Sequence, residues 1–451
     1  MSEASRRGPL RRFVNRLEVD QAVFYSLCVR AWQFVAGPIS VLMIGTFFQP
    51  DVQGYFYTFS SLMALQSFFE LGFHIVIVNV SSHEWLHLEL DAAGRVRGDS
   101  AALSRLGSLS RLLLVWYGVA AVLFAISVGG GGAWFLARKD YGPIPWPMPW
   151  AVLVLLSAST LWVLPFIVLL EGCGQMAVVN RYRVYQAVCG SLAVWTCLAC
   201  GGSLWAIVAA SAVQLIWSLI LLAVRYRRFF QAVFHAPAGP RLRWSTELWP
   251  MQWRLAISAV FSYFAFNLFT PVIFHYHGPA MAGRMGMTWQ LVTMLQAVAL
   301  AWVQTRAPLF GRLVAKQDFR ELDRVFFRLT WISLGVACAG GSALWLAVWG
   351  LYAWEFRLAN RMLGPAVTGL FLLAILVFHF PSCQAFYVRA HKREPLLLVS
   401  IVSCSLIGGS VAWAGQFYGP LGTAWAYLAV VAGCIFPWQT WVWWRCRKSH
   451  G

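Results

Sequence analysis

The sequence predicts an all-α polytopic membrane protein of about twelve transmembrane helices in two six-helix bundles. Two observations predict this class. Of the 451 residues, 59% are hydrophobic and only 12% are charged, and apolar stretches with almost no charge recur along the whole chain. A spanning helix needs about 20 mostly apolar residues, and its backbone groups must bond within the segment. The predicted spans are 22–48, 54–80, 112–137, 149–170, 183–201, 204–224, 249–275, 284–306, 329–354, 362–388, 395–417 and 420–444.

The connectors support this division into spans. Residues 184–224 contain no charged side chain, and the stretch is about twice as long as an ordinary span. We therefore predict a turn between two helices at Gly201, Gly202 and Ser203. The connectors predicted to lie outside are short, so none of them has room to fold as a catalytic domain.

Lysine and arginine are distributed unequally between the two sides of the membrane. With the N-terminus placed inside, 28 of the 35 basic residues fall in inner connectors or tails, and five lie at the outer side. This asymmetry is the positive-inside signal, and it predicts that both termini are cytoplasmic. It also explains the net charge of +18 without a nucleic-acid partner. The first apolar stretch is long enough to span, so a cleavable signal peptide is not predicted.

An arginine-rich segment, 225–248, divides the spans into six and six and is predicted to be a cytoplasmic linker. The two halves are faintly similar, since residues 63–66 of span 2 are Met-Ala-Leu-Gln and residues 293–296 of span 8 are Thr-Met-Leu-Gln. Internal repeats of this kind are typical of transporters whose halves rock about a central site. The predicted domains are an N-terminal bundle at 1–224, the linker at 225–248 and a C-terminal bundle at 249–451.

Two motifs resemble a known family. Residues 50–56 are Pro-Asp-Val-Gln-Gly-Tyr-Phe and residues 68–73 are Phe-Phe-Glu-Leu-Gly-Phe. Together they resemble the first two helices of polysaccharide and O-antigen flippases, which belong to the multidrug/oligosaccharidyl-lipid/polysaccharide exporter superfamily. In that family Gly-Tyr-Phe or Gly-Leu-Phe opens helix 2, and an acidic-x-Gly motif lies near its inner end, the place that Glu70-Leu71-Gly72 fills here. The resemblance implies a transporter for polysaccharide or lipopolysaccharide biosynthesis.

Ionisable residues inside predicted spans are costly and are candidates for function. Arg30 and Glu70 lie at similar predicted depths, about 12 and about 15 Å from the inner ends of spans 1 and 2 at 1.5 Å per residue. We expect them to be in contact, either as a structural salt bridge or with Arg30 facing a cavity and an anionic head. Arg254 and Arg284 are the other cavity candidates, with snorkelling and an interface role as their alternatives. The arginine fork suits a diphosphate.

Residues 83–87 are His-Glu-Trp-Leu-His, an HExxH motif. On a helix, His83 and His87 would share one face and could bind zinc, with Glu84 as the base of an intramembrane metalloprotease. A third ligand is missing, because Glu89 and Asp91 are too close in sequence. We therefore predict no metal and no cofactor, and the metalloprotease stays an alternative. The sequence contains no GxxxxGK motif, so an ATP-driven motor is not predicted.

The sequence thus predicts a transporter and not an enzyme. The predicted function is that of a flippase, which moves a lipid-linked oligosaccharide or polysaccharide precursor across a bacterial inner membrane by alternating access. The predicted partners are an anionic lipid-linked glycan, membrane lipids and glycan-assembly proteins. A drug or cation exporter of the same superfamily is the closest alternative. That exporter should have an acidic cavity, whereas the cavity candidates here are mostly basic.

Overall fold

A computed structural model describes residues 21–91, 94–139, 141–237, 239–240, 242–244, 247, 249–391 and 395–448, without the side chains of 250, 251, 254, 255, 258, 259 and 262. Nearly all of this chain is helical. The α-helices are α1 Gln21–Phe47, α2 Pro50–Met63, α3 Gln66–Glu70, α4 Phe73–Trp85, α5 Ser100–Ala137, α6 Pro147–Leu170, α7 Met176–Ala199, α8 Trp205–Leu219, α9 Arg227–Phe234, α10 Trp249–Phe266, α11 Phe269–His277, α12 Pro279–Ala315, α13 Phe319–Ala353, α14 Pro365–Arg389, α15 Leu397–Val430 and α16 Phe436–Lys448. Wider π-type turns occupy Glu171–Gln175, Ile220–Arg225 and Val431–Ile435, and a 3-10 turn occupies Ala359–Arg361. Strands β1 Leu88–Leu90 and β2 Val96–Gly98 form an antiparallel hairpin, which the sequence did not predict.

The helices confirm the predicted fold class. Among the described residues, eight helical stretches are long and apolar enough to cross a membrane, or nine if α2–α3 and α4 count as one span. Two of these stretches, Pro147–Ala199 and Leu397–Lys448, have 53 and 52 residues, more than twice the length that one span needs. Each of the two contains a break at which the chain turns back, so each accounts for two predicted spans. The predicted span 249–275 covers α10 and most of α11, which are separated by two residues. Each of the twelve predicted spans therefore falls on helical structure.

The first turn lies at Glu171–Gln175, between α6 and α7. Gly174 has a left-handed backbone with φ of +74°, which glycine adopts without steric cost. The Arg183 guanidinium donates to the Glu171 carboxylate, twelve residues earlier in the chain. A continuous helix would separate these residues by about 18 Å, so the contact requires the chain to reverse direction here.

The second turn lies at Gly419 in α15, where φ is +60° and Pro420 follows. A Cβ atom on Gly422 would overlap the carbonyl oxygen of Ala414, eight residues earlier. These residues would lie about 12 Å apart in a continuous helix, so α15 also reverses direction. The turn predicted at Gly201–Ser203 is confirmed as well, because Gly201 and Ser203 have φ values of +74° and +51° between α7 and α8.

The described chain forms two compact units that do not follow the order of the sequence. Unit 1 contains the residues up to Ser40, Gly72–Gly129 and Ala151–Gln252, and unit 2 contains Val41–Leu71, Gly130–Trp150 and the residues from Trp253 onward. The predicted division into bundles at 1–224 and 249–451 stays a prediction. The segment predicted as a linker contains α9, whose Phe229 and Val233 are fully buried in unit 1.

Polar contacts join the helices of unit 1. The Trp32 indole donates to the Ala187 carbonyl at 3.1 Å, and the Asn180 amide donates to the Ala22 carbonyl at 2.9 Å, which fixes α1 against α7. Hydrogen bonds between helices satisfy polar groups that lipid cannot. Unit 1 is therefore held by both apolar packing and interhelical bonds.

Unit 2 is built on a close crossing of α2 and α12. A Cβ atom on Gly54 would overlap the backbone carbonyl of Pro279, and one on Gly286 would overlap the Tyr57 side chain. Small residues let two helix backbones approach, which maximises van der Waals contact in a membrane. Gln53 then donates across the crossing to the carbonyl of Gly283 at 2.9 Å. The Gly54-Tyr55-Phe56 motif therefore has a structural role in this unit.

Candidate functional site

A cavity of about 590 Å³ lies within unit 2, between α2, the junction of α10 with α11, and α12. Volumes of this size are typical of sites for small organic ligands. Among the described residues, none that lines the cavity is charged. Its polar side chains are Ser60, Ser61, Asn267, Thr270, Gln290, Thr293 and Gln296, and its aromatic side chains are Phe56, Tyr57, Phe266 and Trp289.

The spacing of residues on α12 places one helical face against the cavity. Gly286, Gln290, Thr293 and Gln296 follow one another at intervals of three or four residues, so their side chains lie on the same face. Gly286 carries no side chain on this face, which leaves room for Tyr57 of α2. The sequence of α12 therefore presents a row of amide and hydroxyl groups to the cavity.

The break between α10 and α11 supplies the opposite wall. Asn267 lies in this break, directly after the last residue of α10. The Trp289 indole donates to the carbonyl of Phe266 at 2.8 Å, a group left without a helical partner at the end of α10. The Trp289 ring also packs against Phe269 with centroids 4.5 Å apart. The break is thus held in place by α12, and its polar residue faces the cavity.

Two polar atoms at this site lack partners. The Gln290 carbonyl oxygen Oε1 and the Tyr57 hydroxyl are buried without a hydrogen bond in the described structure. The Thr293 hydroxyl already donates to the Trp289 carbonyl at 2.9 Å, so its oxygen can still accept. Buried polar groups are normally satisfied. The cavity can therefore exchange hydrogen bonds with a neutral ligand that carries many hydroxyl groups, and its aromatic rings can pack on the ligand's apolar faces.

Comparison with known proteins gives a fold but no close relative. No protein-family profile matches the sequence, and no curated protein matches it. The chain is similar to an inward-facing multidrug resistance MATE family transporter of the MOP superfamily, with a TM-score of 0.60 and 12% identity over 95% of this chain and 96% of that chain. It is also similar to the lipid II flippase MurJ in an inward closed conformation, with a TM-score of 0.66 and 9% identity over 93% and 87% of the two chains. The chain has the fold of these transporters.

The shared fold confirms the predicted architecture of a multi-pass, all-α membrane protein. The resemblance carried by residues 50–56 and 68–73 agrees with this fold, and membership of the polysaccharide flippase branch stays a prediction. The chain is also similar to a crystal structure of MATE in complex with MaL6, with a lower TM-score of 0.52 and 13% identity over 96% and 99% of the two chains.

The predicted cavity residues lie on different helices of the fold. Arg30 is exposed on α1 in unit 1, and Glu70 is half-buried at the end of α3 in unit 2, so their predicted contact stays a prediction. Glu70 accepts a hydrogen bond from Gln66 at 2.9 Å. Arg254 belongs to α10, and its side chain lies outside the described residues. Arg284 lies on α12, about two turns before Gln290 of the cavity.

The residues that do line the cavity were mostly missed. The sequence patterns predicted residues 293–296 only as part of a repeat and predicted no cavity role for Asn267 or Gln290. The signal available in the sequence was the spacing of Gln290, Thr293 and Gln296 by three residues within an apolar span. A row of polar residues on one face of a membrane helix indicates a lined cavity or a helix interface.

The HExxH motif does not have the geometry of a zinc site. Helix α4 ends at Trp85, so His87 lies in the turn before β1 and not one helical turn beyond His83. Glu84 accepts from the Arg105 guanidinium at 2.7 Å, and the same guanidinium donates to Glu247 at 2.7 Å. The backbone N–H of Arg243, together with Arg105, lowers the pKa of Glu247. No group of three possible metal ligands occurs in the described part of the chain, and the metalloprotease alternative gains no support.

Proposed function

We propose that this protein is a bacterial inner-membrane transporter, which moves a lipid-linked oligosaccharide or polysaccharide precursor by alternating access. The observation that carries the proposal is the cavity of unit 2, in which amides, hydroxyls and aromatic rings line about 590 Å³. Sugar rings present many hydroxyl groups and apolar C–H faces, and both have matching groups here. The fold shared with the lipid II flippase MurJ supports a cargo attached to a lipid.

The charge of the cavity argues against the nearest rival. An exporter of hydrophobic cations should place a carboxylate at its binding site. The described lining of the unit 2 cavity contains no carboxylate. The shared fold with MATE transporters is compatible with either cargo, so the uncharged polar lining favours the glycan.

The predicted arginines complete the proposal. An anionic carrier lipid would need a cation on its path, and Arg30, Arg254 and Arg284, which belong to α1, α10 and α12, are the candidates. Glu70 would hold Arg30 or compete with the anion for it. The membrane orientation with both termini in the cytoplasm is part of the proposal and is based on the distribution of basic residues.

A transport assay tests the substrate class. Purified protein in liposomes is given a fluorescent prenyl-diphosphate oligosaccharide, and the labelled glycan that becomes accessible to an enzyme on the opposite side is measured over time. Parallel vesicles test gradient-driven movement of ethidium. We expect protein-dependent glycan movement and no ethidium movement. Movement of ethidium without movement of the glycan would reject the proposed cargo and favour the cation exporter.

A further inference from the structure

Two arginines lie on neighbouring backbone segments of unit 2, close to the start of α12. Arg284 lies in the second turn of α12, and Arg361 lies in the 3-10 turn Ala359–Arg361 between α13 and α14. The Gln53 amide of α2 donates to the carbonyl of Gly283 at 2.9 Å and to the carbonyl of Arg361 at 3.0 Å. One side chain therefore ties the two arginine-bearing backbones together.

The connection is reinforced on the other side of the turn. The backbone N–H of Leu363 donates to the Thr288 hydroxyl of α12 at 2.9 Å, and this bond is buried. The Tyr352 hydroxyl of α13 donates to the Met362 carbonyl at 2.8 Å. The loop after Arg361 is thus fixed to α12 and α13 by hydrogen bonds, which hold the two arginine-bearing backbone segments together.

Both guanidinium groups have unsatisfied donors. The Nε of Arg284 and the Nη1 of Arg361 are buried without an acceptor in the described structure. No carboxylate in the described part of the chain forms a salt bridge with either arginine. Burial, together with the charge of Arg284, lowers the pKa of Arg361. The Oε1 atom of Gln53 also lacks a donor, so the neighbouring amide does not satisfy the arginines.

This arrangement is costly without a further group. Two like charges in partly buried surroundings repel each other, and each unsatisfied buried donor carries a desolvation penalty that is larger when the group is charged. An anion between the two groups would remove both penalties. Guanidinium groups bind phosphate oxygens through paired, charge-assisted hydrogen bonds.

We propose that Arg284 and Arg361, called the arginine pair below, form a binding site for a phosphate-class anion. The anion could be the headgroup of an anionic phospholipid or a phosphate group of a transported molecule, since both offer the same oxygens. The site goes beyond the proposed function, because a phospholipid could occupy it in a transporter of any cargo.

Binding of pyrophosphate to purified full-length protein in a non-ionic detergent tests the site. Thermal unfolding is followed with increasing pyrophosphate, against sodium chloride at equal ionic strength. We expect a saturable rise of Tm for the wild type. Arg284→Gln and Arg361→Gln should weaken the apparent affinity at least about tenfold, the scale expected for a lost charge-assisted pair. Arg357→Gln, in the same loop but exposed, is the matched control and should bind like the wild type.

A second arm distinguishes the sources of the phosphate. The same variants are titrated with mixed micelles that contain phosphatidylglycerol. A Tm rise that depends on the arginine pair with this lipid identifies a headgroup site, and a rise with pyrophosphate alone identifies a site for soluble or cargo phosphate.

Folding of the variants has its own control. Without anion, Arg361→Gln should melt at or above the wild-type Tm, because a repulsive charge is removed. If a glutamine variant does not fold, Arg284→Lys and Arg361→Lys replace it; they keep the charge, lose the planar fork and should still weaken binding. Equal stabilisation of the wild type and every arginine-pair variant, or no saturable stabilisation of the wild type by either ligand, would overturn the proposal.

Discussion

Replacing Gly54 with alanine is expected to remove most of the folded protein. The added methyl group would overlap the backbone carbonyl of Pro279 at the crossing of α2 and α12. A clashing side chain could rotate away from the added methyl group, but the clashing group here is backbone. The start of α12 cannot shift to relieve the overlap without breaking the hydrogen bond from Gln53 to Gly283. Overpacking a well-packed core typically costs about 1–3 kcal/mol, and a clash with backbone should lie at or above the upper end. The yield of monodisperse protein and its Tm in detergent measure the effect.

The matched control for this change is Gly131→Ala on α5. A Cβ atom there would meet no atom within 4 Å, and alanine is favoured over glycine in a helix by up to about 1 kcal/mol. We expect this variant to melt at or slightly above the wild-type Tm. A Gly54→Ala protein with wild-type yield and Tm would contradict the close helix crossing.

Removing the amide groups of Gln290 and Gln296 together should strongly slow glycan transport. Both residues line the cavity, and the Oε1 atom of Gln290 is a buried acceptor with no hydrogen-bond donor in the described structure. A neutral hydrogen bond contributes about 0.5–1.5 kcal/mol. The double change Gln290→Leu with Gln296→Leu should therefore lower the transport rate by about tenfold to a hundredfold, since 1.4 kcal/mol corresponds to a factor of ten. The rate is measured in the liposome assay with the fluorescent oligosaccharide.

The control for the leucine variants lies on the same helix. Gln304 is exposed on α12 and does not line the cavity, so Gln304→Leu should transport at the wild-type rate. The double variant should also keep a Tm close to that of the wild type, because leucine satisfies the apolar surroundings of a membrane helix. Wild-type transport by a correctly folded double variant would show that the cavity does not bind the moving glycan.

Local sequence patterns were sufficient for most of the fold. The length and apolar character of the twelve stretches predicted the helices, and Gly201 predicted a turn that needs a left-handed residue. Helix α7 begins at Met176, seven residues before the predicted span, although Arg181 and Arg183 lie in its first turns. Hydropathy alone excluded Arg181 and placed Arg183 at the first position of the span, whereas the structure pairs Arg183 with the buried Glu171.

The candidate site could not be predicted in the same way. Its walls come from α2, from the break after α10 and from α12. More than 200 residues of sequence separate α2 from that break. Periodicity identifies the polar face of one helix but not the helices that meet it. The zinc-site alternative for the HExxH motif gained no support for a related reason. A four-residue spacing places two histidines on one face only within a continuous helix, and α4 ends before His87.

The central claim is that the moving glycan contacts the cavity of unit 2, and photo-cross-linking tests it most directly. A lipid-linked oligosaccharide with a diazirine on its sugar is bound to the protein in liposomes and irradiated, and the modified peptides are identified by mass spectrometry. We predict cross-links on α12 between Gly286 and Gln296 and on α2 near Ser60 and Ser61, reduced by excess unlabelled oligosaccharide and in the Gln290→Leu, Gln296→Leu protein. Cross-links confined to other helices, or unaffected by the competitor, would contradict the claim.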